Sequence, residues 1–212
     1  MAVTGRPREF DRESALNKAM LVFWQKGFTA SSMNDLCDAM GIRSPSLYAA
    51  FGSKEALYLE AVDFYARTVG PTIWGQLTDG PTARAGVENL LRAAADGLPK
   101  CGMTPAGCMI TLAALGEECS EVILDTTRKV RLHCLDLLRA RFGAAVSDGE
   151  LASTVDVEHL SRFYLSAYQG IAIQARDGAT AEELRGIAQT AMAAWPPYAS
   201  LIDFAEERDS LR

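Results

Sequence analysis

The chain has 212 residues, of which 49% are hydrophobic and 23% charged, with a formal net charge of −6. No run of about 18 apolar residues offers a membrane span, and the arginines near the amino terminus precede no apolar leader-like segment, so a cytoplasmic protein is expected. Five cysteines, odd in number and irregularly spaced, fit reduced thiols better than a disulfide framework.

A basic arm containing Arg6 and Arg8 leads into a first helix, on which Ala15, Leu16, Ala19, Met20, Phe23 and Trp24 recur at helical spacing. Residues 31 to 57 then read as two short helices joined by a tight turn at Gly41. Ser32 caps the first, with Asp35 as its capping-box partner, and Met33, Leu36, Cys37 and Met40 make its inner face. Ser44 is the expected cap of the second, and Pro45 suits its first turn, where a missing N–H costs nothing. Leu47 and Phe51 face the core, which leaves Ser46, Ala49 and Ala50 outward, small enough to let a backbone approach a DNA groove.

Residues 6 to 58 together resemble the DNA-binding domain of the TetR family of transcriptional regulators. The resemblance rests on the arm, on Lys26, Gly27 and Phe28, on Ser31, Ser32 and Met33, on Gly41 and Ile42, on the run Pro45, Ser46, Leu47, Tyr48, and on Phe51, Lys54, Glu55 and Leu57. It implies double-stranded DNA with a palindromic operator as partner. By reach, Asn34, Arg43 and Ser46 are the expected base readers, whereas Tyr48, Lys54 and the amides near Ser32 hold phosphates, with Ser31, Ser44, Pro45, Arg6 and Arg8 completing the surface.

Residues 53 to about 76 continue as a long helix from Ser53, bent or interrupted by Pro71. Helices follow near 82–97, near 107–117 after a loop of prolines and glycines, and near 120–142, with Gly143 as the expected stop. After the turn at Ser147, Asp148 and Gly149, two more span 156–176 and 180–194, the second opened by Thr180 and Glu183, and Pro196 and Pro197 end it. A short final helix is expected in 198–212. The fold class is therefore all-α. A helix-turn-helix domain over 1–55 precedes a helical effector-binding and dimerisation domain over 56–212. Seven basic against six acidic side chains in residues 1 to 55 place the acidity in the second domain.

In the TetR family the last two long helices meet their two-fold mates in a four-helix bundle. The resemblance therefore implies a homodimer, through Phe163, Ala167 and Ile171 of one helix and Leu184, Ile187 and Ala191 of the other. A small-molecule effector is expected in the bundle, near Phe64, Trp74, Cys108, Leu112, Phe163, Tyr164 and Gln169, and its binding releases a repressor from DNA. Enzyme chemistry is not expected: His133 and His159 are the only histidines, no nucleophile or metal-ligand spacing surrounds them, and no cofactor or metal is implied. Cys108 lies in a segment resembling the Gly-Cys-Leu stretch of a TetR subgroup that includes copper-responsive and N-ethylmaleimide-responsive repressors, with Met109 in place of leucine. Electrophile or redox sensing through Cys108 is the alternative reading, against which stand the frequency of buried cysteines and the lack of a basic residue near it in sequence. A helical binding module without DNA contact is a second alternative.

Overall fold

A computed structural model describes residues 10–113 and 120–195, and within them the chain is all-α: nine helices and one 3-10 turn. Helix α1 (Arg12–Ala30) is capped by Asp11, whose carboxylate accepts the amides of Glu13 and Ser14. It buries the stripe from Ala15 to Trp24 that its spacing predicts, and kinks at Gly27, where φ is 78°. Helices α2 (Met33–Met40) and α3 (Ser44–Phe51) follow, then α4 (Lys54–Thr68), capped by the Ser53 hydroxyl. Pro71 interrupts the expected long helix by starting a new one: α5 (Gly70–Trp74) has the proline in its first turn, and a 3-10 turn (Gly75–Leu77) completes the connection. Helix α6 (Ala83–Gly97) is close to the prediction.

Two expectations fail beyond it. Residues 106–113 are turns, with only a single helical turn closed by the Leu112 amide on the Cys108 carbonyl, so the helix expected from 107 is absent over its described part. Helix α7 (Glu121–Ser147) runs through Gly143. A glycine inside a helix costs only about 1 kcal/mol relative to alanine, less than the burial of Phe142 and Ala145 on either side returns. Helices α8 (Val157–Arg176) and α9 (Ala181–Ala193) match the prediction, and the Thr180–Glu183 capping box forms. Pro196, Pro197 and the tail helix expected in 198–212 lie outside the described residues.

One apolar core runs through both halves of the molecule. Helix α1 packs on α2 and α4, α6 on α8 and α9, and α7 on α8. Helix α4 is the shared element. Its Tyr58 ring stands edge-on to Phe23 and Phe28 of α1, at 5.0 and 5.2 Å, while its later turns pack against α5 and α7. Arg12 fastens the start of α1 to the same helix by an ion pair with Glu60 at 2.7 Å, with its guanidinium 4.4 Å over the Phe51 ring.

Candidate nucleic-acid interface and bundle cavity

The turn between α2 and α3 is fixed at both ends. Gly41 adopts the left-handed conformation at φ 70°, which brings its amide and that of Ile42 back to the Cys37 carbonyl at 2.9 and 3.1 Å. At the other end of α2 the Ser32–Asp35 capping box forms as predicted, and Lys26 pairs with Asp35 at 2.7 Å. The lysine first, then the Ser32 amide and hydroxyl, draw the Asp35 carboxyl down to about 2. Arg43 holds the cap position of α3 without a side-chain capping bond, so the expected Ser44 cap is corrected. Ser44 is instead the first helical residue, half-buried, with its hydroxyl 3.5 Å from the Cys37 thiol.

Leu47 and Phe51 are buried, and this sets the outward face of α3: Arg43, Pro45, Ser46, Tyr48 and Ala49 are exposed, joined by Ser32 and Asn34 from α2. Apart from the Arg43 side chain and the half-exposed Tyr48 ring, the face is built of small residues. Ser31 does not belong to it. Its side chain is 1% exposed and its hydroxyl donates to the Gly27 carbonyl at 2.6 Å, because the kinked end of α1 leaves that carbonyl in need of a donor. Lys54 places its Nζ 4.5 Å over the Phe28 ring. Arg6 and Arg8 lie outside the described residues.

In the bundle, α4, α5, α7, α8 and the 108–111 turns line a half-open cavity of about 330 Å³. Of the predicted lining, Trp74, Cys108 and Gln169 are present, whereas Phe64, Leu112, Phe163 and Tyr164 do not line it. Tyr164 and Tyr168 lie four apart on α8, but Tyr164 turns into the core against Phe142 and Trp195, with its hydroxyl donating to the Ala191 carbonyl at 3.4 Å. Leu112 packs at Gly107 and Phe163 faces outward. The residues that sequence reasoning missed include Tyr65, Arg131, Cys134 and Tyr168. Burial, and then the neighbouring Cys108 thiol, push the Tyr65 and Tyr168 hydroxyls well above their ordinary range, so both stay neutral. Burial raises the Cys134 thiol to about 12. The absence of a basic residue near Cys108, read from the sequence, does not hold in space, since Arg131 of α7 lines the same cavity. Among the described residues no cluster of His, Cys, Asp or Glu has the makings of a metal site.

Direct bonds join this cavity to the first domain. The Trp24 indole N–H donates to the Gly107 carbonyl at 3.1 Å, next to Cys108, and the indole stands edge-on to Tyr65 at 4.9 Å. Arg176, at the end of α8, donates to the Trp24 and Gln25 carbonyls at 2.6 and 3.3 Å, just before the kink at Gly27.

Of the residues expected at a dimer contact, Ile171, Leu184 and Ala191 are buried within the protomer, where α8 and α9 pack on α6 and on each other. Phe163 is 42% exposed, and Ala167 and Ile187 are half-buried.

An exposed helix-turn-helix attached through a shared helix to a bundle with a half-open cavity defines a helix-turn-helix regulator. Residues 15–61 match the family model of the bacterial regulatory proteins, tetR family. Over 196 residues, 91% of this chain and 92% of the relative, the sequence is 35% identical to the transcriptional repressor ComR of Escherichia coli K12. The repressor BdcR of the same organism is 41% identical over 109 residues, 51% of this chain and 54% of BdcR. Among solved structures, a cysteine mutant of the TetR family regulator CifR, complexed with 26-base-pair operator DNA, is 41% identical with a TM-score of 0.85, covering 91% of this chain and all of that one. The chain belongs to the TetR family of transcriptional regulators. Among the described residues, no helix is long and apolar enough to cross a membrane.

Proposed function

We propose that this protein is a homodimeric repressor that sets α3 in the major groove of a palindromic operator and is released by a small molecule entering the bundle cavity. The observation that carries this reading is the shared helix α4, which lines the cavity with Tyr65 and Ala66, followed by Val69 just past its end, and packs the helix-turn-helix domain through Tyr58. A ligand that binds better when α4 is displaced shifts the pair of α3 helices away from the spacing of successive grooves. Residues 1–55 form the DNA-reading unit and 56–212 the effector and dimerisation unit, acting in the cytoplasm and without a catalytic step. The test is a gel shift with the DNA flanking the protein's own gene. Binding of a discrete palindrome supports the reading, and indifference to all such fragments favours a helical module without DNA contact.

On the DNA face, Tyr48→Phe combined with Lys54→Ala is expected to weaken operator binding about tenfold and to flatten its salt dependence, since both side chains are assigned to phosphates. An unchanged affinity and salt slope removes that assignment.

The dimer contact is assigned to the outward faces of α8 and α9, where Phe163, Ala167 and Ile187 are accessible. Equilibrium sedimentation at micromolar concentration is expected to give twice the chain mass, and Phe163→Glu with Ile187→Glu to give the monomer. A dimer that survives both charges places the contact elsewhere.

Cys108 is 5% exposed at the inner wall of the cavity, which supports a packing role over a sensing one. Cys108→Ser is expected to leave the response to a mild oxidant unchanged in an operator-binding assay. Oxidant-driven release of the parent together with retention by the variant makes the thiol a switch.

A further inference from the structure

The cavity wall is chemically lopsided. The chain carries 27 acidic against 21 basic side chains, yet among the described residues the lining contains Arg131 and His133 and no aspartate or glutamate. Most of the remaining wall is apolar, with Ile73, Trp74, Leu137 and Leu165 among its members. Arg131 is half-buried on α7 and forms no ion pair with any described residue; its Nη1 donates to the Ile110 carbonyl at 3.2 Å, which satisfies one of five N–H groups. Two other partly buried arginines are better held: Arg139 by Glu158 and Asp136, and Arg176 by two carbonyls at the kink of α1. Burying a cation without an anion is costly; burial lowers the affinity of Arg131 for its proton, as it does that of Arg176, but Arg176 is held by two carbonyls where Arg131 has one.

We infer that the effector is a small organic anion, a carboxylate or its equivalent on an apolar body, with the charged end on Arg131 and the body against Trp74 and Leu165. The inference rests on the cavity being the effector site and adds the chemistry of what fills it. A planar carboxylate matches the guanidinium fork, and the low-dielectric wall strengthens the pair relative to water. A volume of about 330 Å³ is at the small end for ligand sites and suits a single ring with a short chain. His133, exposed on the same wall, adds a second donor, and Gln169 an uncharged one. Neutral phenols at Tyr65 and Tyr168 place no competing negative charge there.

The test uses the full-length protein and calorimetric titration with phenylalkanoates of graded chain length, each matched by its neutral amide and alcohol. The carboxylates are expected to bind at least tenfold more tightly than the matched neutral compounds, a discrimination that Arg131→Met abolishes and Arg131→Lys partly keeps. The lysine variant preserves the charge, so it also separates loss of recognition from a folding defect in Arg131→Met. Equal or tighter binding of the neutral series, or full discrimination in Arg131→Met, overturns the inference while leaving the cavity as the effector site. If no compound of either series binds, or if carboxylate binding survives a cavity-filling Leu165→Trp, the cavity reading fails with it.

Discussion

Ser46→Asp is expected to abolish operator binding while leaving the protein folded. Ser46 is the third residue of α3 and is exposed on its outward face, with its backbone amide bonded to the Arg43 carbonyl at 2.9 Å. An acidic side chain in the first helical turn is favourable to the helix, since it meets the positive end of the backbone dipole. On the proposed DNA surface the same charge would face the phosphates and the acceptor-rich edges of the major groove, once per protomer of the dimer. Like charges brought together at an interface cost several kcal/mol, so a loss of roughly 100-fold or more in affinity is expected, with an unchanged or slightly raised melting temperature. Fluorescence anisotropy with operator DNA and a thermal melt measure the two quantities separately. Normal binding by Ser46→Asp removes α3 from the groove.

The second large effect belongs to Gly107, at the joint between the two halves. Its φ is +77°, and an added Cβ would stand 2.6 Å from the Leu112 Cδ1 and 2.7 Å from the Ala172 carbonyl oxygen. Leucine can rotate away; the backbone of α8 cannot without moving the helix. Strain at a left-handed position and overpacking each cost about 1–3 kcal/mol, so Gly107→Ala is expected to lose roughly 2 kcal/mol or more in urea denaturation. The same substitution displaces the carbonyl that accepts the Trp24 indole N–H and crowds Arg176, whose Cβ would be 3.4 Å away. The expected result is a second phenotype, operator binding that no longer responds to the effector in the fraction that folds. A variant of parental stability and full response places the coupling elsewhere.

Local signals were legible in the sequence because the physics behind them is local. The Ser32–Asp35 and Thr180–Glu183 boxes, the stop at Gly41 and the buried stripes of α1 to α3 depend on residues three or four apart, and they formed as read except that Met33 is only half-buried and Ala50 packs partly against the core. Gly143 shows the limit of such signals: its weak helix-breaking tendency was overridden by the burial of Phe142 and Ala145, which no local window weighs. Ser31 shows another: helical periodicity runs unbroken past Gly27 and does not announce the kink there, which turned the Ser31 hydroxyl inward to the Gly27 carbonyl.

By itself the sequence determined an all-α chain with a helix-turn-helix near its amino terminus, since periodicity, caps and the ordered run of matching residues need no knowledge of neighbours in space. Only the tertiary structure decided which aromatic side chains face a cavity and which fill the core. Tyr164 and Tyr168 have the same spacing on α8, yet the first packs against Phe142 and Trp195 while the second meets Trp74 at 4.9 Å on the cavity wall. It also brought Arg131, Cys108 and Tyr65 together from α7, a loop and α4, and tied Trp24 to Gly107 across 83 positions of chain. The reason is that a helix presents several faces at once, and which of them is buried, exposed or left lining a void is set by the elements that pack against it.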